Sequence, residues 1–150
     1  HWMVHSFPTR RSSDLTDTGL DDGKPYQYRI RAVDAEGLAS EPSEKADAAT
    51  KPRPAPPRDL TAAAGEGFIA LSWTPGGGAD IAGYEIYRGS GWNPLGRYEK
   101  IGRATAPPFE DRTSRPGTAY TYRVAAVDAA GLCSDKSPPA SATIPVRSGR

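Results

Sequence analysis

The side chains that most often carry catalysis are sparse in this chain of 150 residues. It has two histidines, His1 and His5, and one cysteine, Cys133. Both histidines fall in an N-terminal segment that differs from the rest of the sequence, so the remainder has no imidazole to act as a general base or zinc ligand. A single cysteine forms no internal disulfide and no CxxC pair. We therefore predict a protein that is not an enzyme and has no catalytic, cofactor-binding or metal-binding residues.

Carboxylates are the remaining candidates for chemistry, and their positions favour structural roles. Glu110 and Asp111 are neighbours in a predicted strand, so their side chains point to opposite faces and cannot flank one glycosidic bond. Asp34 and Asp128 each begin an Asp-Ala-x-Gly segment. Such a segment is typical of a hairpin loop in which the Asp caps the turn and the Gly takes a positive φ.

One loop contains a candidate for ligand binding. Trp92 lies between two predicted strands, near Tyr87 and Tyr98. An accessible Trp can stack on a sugar or anchor a protein partner. In the alternative interpretation, Trp92 folds back over the rim of the sheet and only fills the loop. The candidate ligand-contact residues are therefore Trp92, Tyr87 and Tyr98, and the candidate ligands are a protein or a polysaccharide.

Composition and charge argue against several other classes. The chain has 16 Gly and 15 Pro residues, which disfavours long helices. Its 19 basic and 18 acidic residues are interspersed, without the basic stripe that nucleic-acid binding requires. No apolar run reaches the roughly 18 residues of a membrane span, and no signal-peptide pattern is present. We expect a monomer that neither binds nucleic acid nor inserts into a membrane.

The N-terminal segment, residues 1–15, has no helical or strand periodicity. Residues 5–15, HSFPTRRSSDL, resemble the translation of a common sequencing-library adapter. We therefore expect residues 1–15 to be an assembly artefact, disordered and not part of the fold. A natural disordered arm is the alternative.

The rest of the chain contains an internal repeat. Residues 17–49 align without a gap on residues 111–143, and 15 of the 33 aligned pairs are identical. The offset of 94 residues corresponds to a whole domain and is too long for a solenoid unit. Alternating apolar residues separated by turn signals predict seven short strands, hence an antiparallel sandwich. The predicted strands are residues 59–62, 68–73, 84–88, 97–101, 108–111, 120–126 and 141–145.

These segments resemble a known family. The motifs PPRDLTA from Pro56, IALSWTP from Ile69, DIAGYEIYR from Asp80 and PGTAYTYRVAAVDAAG from Pro116 occur in the order found in fibronectin type III domains, particularly bacterial ones. The resemblance implies an all-β, immunoglobulin-like sandwich of seven antiparallel strands. It implies that the structural core contains Trp73, Tyr84 and Tyr120.

The resemblance also predicts how the chain is organised. Residues 16–50 are similar to the last third of such a domain, its F and G strands. Residues 51–57 form a Pro-rich linker, 58–145 a complete domain and 146–150 a tail. Because an isolated two-stranded hairpin is marginal in water, we expect residues 16–50 to fray or to dock on a neighbour.

A module of this family implies a non-catalytic role. The leading hypothesis is a spacer or interaction module of a larger bacterial exported or surface protein, located outside the cell or at its surface. Its partners would be the neighbouring domains of that protein. The alternative is an accessory module of a secreted carbohydrate-active enzyme, with weak sugar binding.

Overall fold

The structure, a computed structural model, describes residues 15–78, 80–91 and 95–149. The chain divides into two compact units, His1–Arg53 and Pro54–Arg150. Nine β-strands form in the described residues, and none of these residues belongs to a helix that could cross a membrane. The predicted all-β class is therefore confirmed. Of the predicted artefact, residues 1–15, only Leu15 is described.

The first unit contains one pair of strands. Strand β1, Pro25–Tyr28, pairs in antiparallel fashion with β2, Ala46–Ala49. Tyr26 and Tyr28 alternate along β1 and are half-buried. Ile30 follows on the same alternation and is 54% exposed. The apolar side of this pair is thus only partly covered.

The second unit is a sandwich of two antiparallel sheets. The three-stranded sheet has the order β3-β4-β7 and the four-stranded sheet has the order β6-β5-β8-β9. The strands of the first sheet are β3 (Arg58–Ala64), β4 (Ile69–Thr74) and β7 (Phe109–Asp111). Those of the second are β5 (Ile81–Ser90), β6 (Glu99–Ala104), β8 (Ala119–Asp128) and β9 (Ala140–Thr143).

Alternation along β4 and β8 forms the core between these sheets. Ile69, Leu71 and Trp73 are buried on one side of β4. They meet a row of buried residues from the four-stranded sheet, so each layer hides the apolar face of the other. The rings of Trp73 and Tyr84 lie edge to face with centroids 5.2 Å apart. The residues that the second sheet contributes to this hydrophobic core are Tyr84, Ile86, Tyr120, Tyr122, Val124, Ala126 and Ala142.

A buried carboxylate links the two sheets. Asp111, at the end of β7, is 2% exposed. Its Oδ2 accepts hydrogen bonds from Arg88 Nη1 and from the Tyr122 hydroxyl, both at 2.8 Å. Its Oδ1 accepts from the Thr113 hydroxyl at 2.7 Å. Because Arg88 and Tyr122 belong to the four-stranded sheet, this network connects the layers with directional bonds.

The edge strand β3 is irregular where it begins. Its register against β4 shifts between Arg58 and Thr61. Asp59 in this interval has φ of 52°, in the left-handed region. The remainder, Thr61 to Ala64, pairs regularly with Ser72 to Ile69.

The predicted strands and the observed ones differ mainly in length. The strand predicted for residues 84–88 extends over Ile81–Ser90. Backbone pairing with β8 continues along this whole stretch, so Gly83 and Gly89 are included although they carry no strand signal. The strand predicted for 97–101 begins later, at Glu99, and continues to Ala104.

Candidate functional site

Two of the three candidate ligand-contact residues belong to the described part of the chain. Trp92 lies outside the described residues. Tyr87 is in the middle of β5, and Tyr98 immediately precedes β6. The Tyr98 ring packs on Gly89, where a Cβ atom would lie 3.5 Å from two ring carbons. A distance of 3.5 Å is ordinary van der Waals contact, whereas the Arg97 carbonyl oxygen would lie 3.1 Å from the same Cβ, so a side chain at position 89 would crowd that carbonyl and not the ring.

Tyr87 stands among basic residues on the outer face of the four-stranded sheet. In the registers of the sheet, Tyr87 is paired with Lys100 on β6 and with Arg123 on β8. The next outward position on β5, Glu85, is paired with Arg103. Lys136 reaches the same surface from the segment before β9. We call this surface the basic face; it comprises Glu85, Tyr87, Tyr98, Lys100, Arg103, Arg123 and Lys136.

Glu85 is the centre of the hydrogen bonds on the basic face. Its Oε1 accepts from Arg103 Nη2 at 2.7 Å and from Lys100 Nζ at 3.1 Å. Its Oε2 accepts from the Tyr87 hydroxyl at 2.7 Å. The surrounding side chains leave only 5% of Glu85 exposed. An acid on an outer sheet face is therefore enclosed by its donors.

These bonds shift the protonation of both partners. Arg103 and the Tyr87 hydroxyl lower the pKa of Glu85 to about 2, against the opposing effect of burial. Burial, reinforced by the hydrogen bond to Glu85, raises the pKa of Tyr87 to about 12. At neutral pH the pair is carboxylate and neutral phenol. A carboxylate with a pKa of about 2 is a poor general base under these conditions.

A cation lies over the ring of each tyrosine of the basic face. Lys136 Nζ is 4.5 Å from the centroid of the Tyr87 ring. Arg123 Cζ is 5.3 Å from the centroid of the Tyr98 ring. Both distances are within the range of cation–π attraction. The tyrosine rings that the sequence predicts as contacts for a sugar are thus each contacted on one face by a cationic side chain.

Sequence reasoning missed Glu85 and its cations. Glu85 alternates with Tyr84 and Ile86, as any solvent-facing strand residue does. Lys100 and Arg103 come from the next strand, and their approach depends on the β5–β6 register, including its shift between Ile86 and Tyr87. No local pattern in the sequence encodes that register.

The carboxylates that the sequence assigns to turns behave as predicted. Asp34 Oδ1 accepts from the backbone N–H groups of Glu36 and Leu38, each at 2.9 Å. Asp128 Oδ1 accepts from the N–H groups two and four residues further on at the same distances. Gly37 and Gly131 have φ of 87° and 86°. The prediction that Asp34 and Asp128 cap turns is confirmed. In the described parts of the chain, no group of three or more His, Cys, Asp or Glu residues suited to a metal occurs.

The sequence of the second unit decides the family. Residues 55–143 match the family described as "Fibronectin type III domain". The chain belongs to the fibronectin type III family. The seven strands β3–β9 and their two antiparallel sheets agree with this assignment.

Bacterial enzymes are among the relatives of this fibronectin type III chain. It is 33% identical over 145 residues to "Exoglucanase B" of Cellulomonas fimi, a match that covers 90% of the chain and 13% of the relative. It is 40% identical over 85 residues to "Amylopullulanase" of Thermoanaerobacterium saccharolyticum, covering 56% of the chain and 6% of the relative. The chain thus spans a small part of the length of these proteins.

Solved structures share the fibronectin type III fold. A crystal structure of an Fn3-like protein from Clostridium thermocellum is 25% identical, with a TM-score of 0.53, over 65% of this chain and 99% of that one. A β-1,2-glucanase from Parabacteroides distasonis is 28% identical, with a TM-score of 0.51, over 64% of this chain and 13% of that one.

The structure places the three aromatic residues assigned to the fibronectin type III core in buried positions. Trp73 is 4%, Tyr84 6% and Tyr120 7% exposed. Ser114, six residues before Tyr120, is also buried, and its hydroxyl donates to the Asp111 carbonyl at 2.9 Å. The Tyr120 hydroxyl accepts from the Arg115 N–H at 3.3 Å. These two hydrogen bonds tie the turn before β8 to the end of β7 and to the Tyr120 ring.

Proposed function

We propose that the chain is a non-catalytic accessory module of a secreted bacterial carbohydrate-active enzyme, in which it separates functional domains and presents the basic face. The observation that carries the proposal is the match to "Exoglucanase B", because it extends over 90% of this chain and thus takes in residues of both units. The "Amylopullulanase" match supports the same class of parent. An extracellular location follows for a polymer-degrading parent.

The non-catalytic role is supported by the state of the ionisable groups. Glu85 and Asp111 are buried acids that each accept hydrogen bonds from several side chains. Glu85 is held ionised by Arg103 and Tyr87, and burial of Asp111 is outweighed by hydrogen bonds from Thr113 and Arg88 that keep its pKa below the usual value. A carboxylate whose acceptor positions are filled in this way is suited to holding structure together.

The experiment for this function uses the parent enzyme with and without residues 58–145. We expect deletion to leave hydrolysis of a short soluble substrate within about twofold, because the active site lies in another domain. Hydrolysis of insoluble polysaccharide is expected to fall several-fold, because spacing and polymer contact are lost. If deletion leaves the hydrolysis rate on each substrate unchanged, the accessory role is refuted. If residues 1–150 alone hydrolyse polysaccharide, the non-catalytic role is refuted.

The organisation of the chain is a second part of the proposal. We infer that residues 16–50 are the C-terminal part of a preceding fibronectin type III domain, joined by the linker 51–57 to the complete domain at 58–145. The support is a set of hydrogen bonds that recur with the offset of 94 residues. Ser40 Oγ accepts from Ala32 N, as Ser134 Oγ does from Ala126 N. Ser43 Oγ accepts from Ile30 N, as Ser137 Oγ does from Val124 N.

Grafting tests this organisation. Residues 58–110 would be placed directly before residue 17. Because residue 17 aligns with residue 111, this graft gives the first unit the part of a domain, strands β3 to β6 and the start of β7, that precedes the aligned segment in the second unit. We expect a second cooperative unfolding transition and slower amide exchange of residues 26–28. A graft in reversed residue order is the matched control and should add neither. An unchanged exchange rate in the forward graft would contradict the partial-domain interpretation.

A further inference from the structure

The basic face has an excess of positive charge that remains accessible. Among its defining residues, four cations face one acid, Glu85, whose side chain is 6% exposed. The side chains of Lys100 and Arg103 are 49% and 69% exposed although both contact that acid. Glu85 therefore neutralises part of the charge while Lys100 and Arg103 stay accessible at the surface. Such a surface attracts anions.

The positions of the cations decide between a neutral and a charged sugar. A neutral sugar binds an aromatic residue by stacking on its ring face, and here Lys136 lies 4.5 Å above the Tyr87 ring centroid. Stacking on that face requires the ammonium group to leave, with loss of the cation–π attraction. A sugar that bears a carboxylate can pair with the ammonium group where it stands. The geometry thus favours the charged ligand.

The order of the strands spaces the cations for a polymer. Lys100 and Arg123 flank Tyr87 on the two neighbouring strands. Since adjacent strands lie roughly 4.8 Å apart, their backbones are separated by about 10 Å. A single small anion reaches one of them, whereas a chain with a charge on each sugar can pair with both at once. Simultaneous contacts raise the apparent affinity without any new type of contact.

The Glu85 network also fixes part of the surface in advance. Arg103 donates to Glu85 Oε1 through both Nη2, at 2.7 Å, and Nε, at 3.3 Å. This fixes the orientation of the guanidinium before any ligand arrives. A pre-ordered side chain loses less conformational freedom on binding.

We propose that the basic face binds an anionic polysaccharide with carboxylated sugars, through Lys100, Arg103, Arg123 and Lys136 arranged around Tyr87. The choice of a polysaccharide among polyanions rests on the proposed function. The preference for a charged over a neutral polymer rests on the arrangement of the cations over the tyrosine rings.

The test is isothermal titration of residues 1–150 with polygalacturonate, with hydroxyethyl cellulose as the neutral polymer and a single-stranded DNA oligonucleotide as the other polyanion. We expect binding to polygalacturonate at about 20 mM NaCl that weakens at least tenfold at about 300 mM NaCl, because screening reduces charge pairing. Hydroxyethyl cellulose should bind at least tenfold more weakly. Equal or stronger binding of either competitor overturns the proposal.

Matched variants locate the binding site. The double variant Lys100→Gln, Lys136→Gln removes two charges from the basic face and should weaken polygalacturonate binding about tenfold or more. Arg58→Gln removes a charge from β3 in the other sheet and should change it less than twofold. Circular dichroism verifies that both variants are folded. Unchanged binding of the double variant, or equal loss in Arg58→Gln, overturns the assignment.

This outcome is separable from the accessory role. If residues 1–150 bind polygalacturonate through the basic face but deletion from the parent has no effect on polysaccharide hydrolysis, the proposed function fails and the binding site stands. If deletion lowers hydrolysis but the double variant binds normally, the accessory role stands and the binding site fails.

Discussion

The two units contain the same Asp–Tyr pair in different surroundings. In the first unit the Tyr28 hydroxyl donates to Asp17 Oδ2 at 3.0 Å, and in the second the Tyr122 hydroxyl donates to Asp111 Oδ2 at 2.8 Å. Tyr122 is fully buried, and Asp111 also accepts a hydrogen bond from Arg88, whereas Tyr28 is half-buried. Local sequence therefore specifies the hydrogen bond, and the opposing sheet determines how much stability depends on it.

The largest difference is expected from removing the tyrosine ring. Tyr122→Ala should lower the free energy of unfolding of the second unit by about 3–5 kcal/mol, because it leaves a cavity in the core. Tyr28→Ala, at the aligned position, should change it by less than about 0.5 kcal/mol. Urea unfolding followed by the fluorescence of the buried Trp73 measures both. Should Tyr122→Ala not fold, Tyr122→Phe provides a milder comparison with an expected loss of about 1–2 kcal/mol. Similar losses of unfolding free energy at positions 28 and 122 would contradict the conclusion that the opposing sheet makes the second tyrosine more important for stability.

Removing the charge of the acid comes next. Asp111→Asn should cost about 2–4 kcal/mol, because the Arg88 guanidinium and the Thr113 hydroxyl lose a shared anionic acceptor. Asp17→Asn is the matched control and should leave the same transition within about 0.5 kcal/mol. The double variant Arg88→Met, Asp111→Asn tests the coupling: a loss equal to the sum of the single losses would show that the two residues act independently.

Acid should destabilise the second unit through two carboxylates. The pKa of Glu85 is lowered to about 2 and that of Asp111 is also below its usual value in the folded state. A lowered folded-state pKa means that the stabilisation is complete above the unfolded-state pKa and disappears as the pH falls through the folded one. We expect the free energy of unfolding to be flat between about pH 7 and 5 and to decrease between about pH 4.5 and 2.

A variant that lacks both carboxylates tests whether they cause this dependence of stability on pH. In Glu85→Gln, Asp111→Asn the protein should be less stable at neutral pH but should lose less on acidification. Asp17→Asn should show the same dependence of the free energy of unfolding on pH as the unsubstituted chain. A slope that persists in the double variant would assign the acid response to other carboxylates.

The smallest difference is expected at the turn caps. Asp128→Ala removes the acceptor of two backbone N–H groups next to β8 and should cost about 1 kcal/mol. Asp34→Ala removes the same two bonds in the first unit, and the thermal unfolding of the second unit should not change. Asp128→Asn, which keeps an oxygen acceptor, should recover most of the lost stability. A fall in the melting temperature caused by Asp34→Ala would contradict the separation of the units.

Much of the fold is encoded in patterns that a reader of the sequence can follow. Alternation along Ile69, Leu71 and Trp73 predicts a strand with one buried side, and that side is buried. The same rule sends Glu110 and Asp111 to opposite faces, and Asp111 is buried while Glu110 is exposed. These features depend on the two-residue period of a strand, which is a property of the local chain.

The basic face could not be predicted in the same way. Its members are scattered between positions 85 and 136, and they meet because β5 lies between β6 and β8. Strand order and register depend on the packing of the whole sandwich. The sequence names Tyr87 and Tyr98, with Trp92, as candidate ligand contacts because they are close along the chain, and their binding of a ligand stays a prediction. The acid beneath the cations was missed, because Glu85 resembles an ordinary surface residue until its neighbours are known.

The irregular start of β3 has a consequence for the association of one sandwich with another. Edge strands with a regular row of free N–H and C=O groups recruit strands from other molecules and seed aggregates. The register shift between Arg58 and Thr61, with Asp59 in the left-handed region, interrupts that row at its beginning. A foreign strand that approaches this edge therefore meets an interrupted ladder at the start of β3, which disfavours edge-to-edge pairing there.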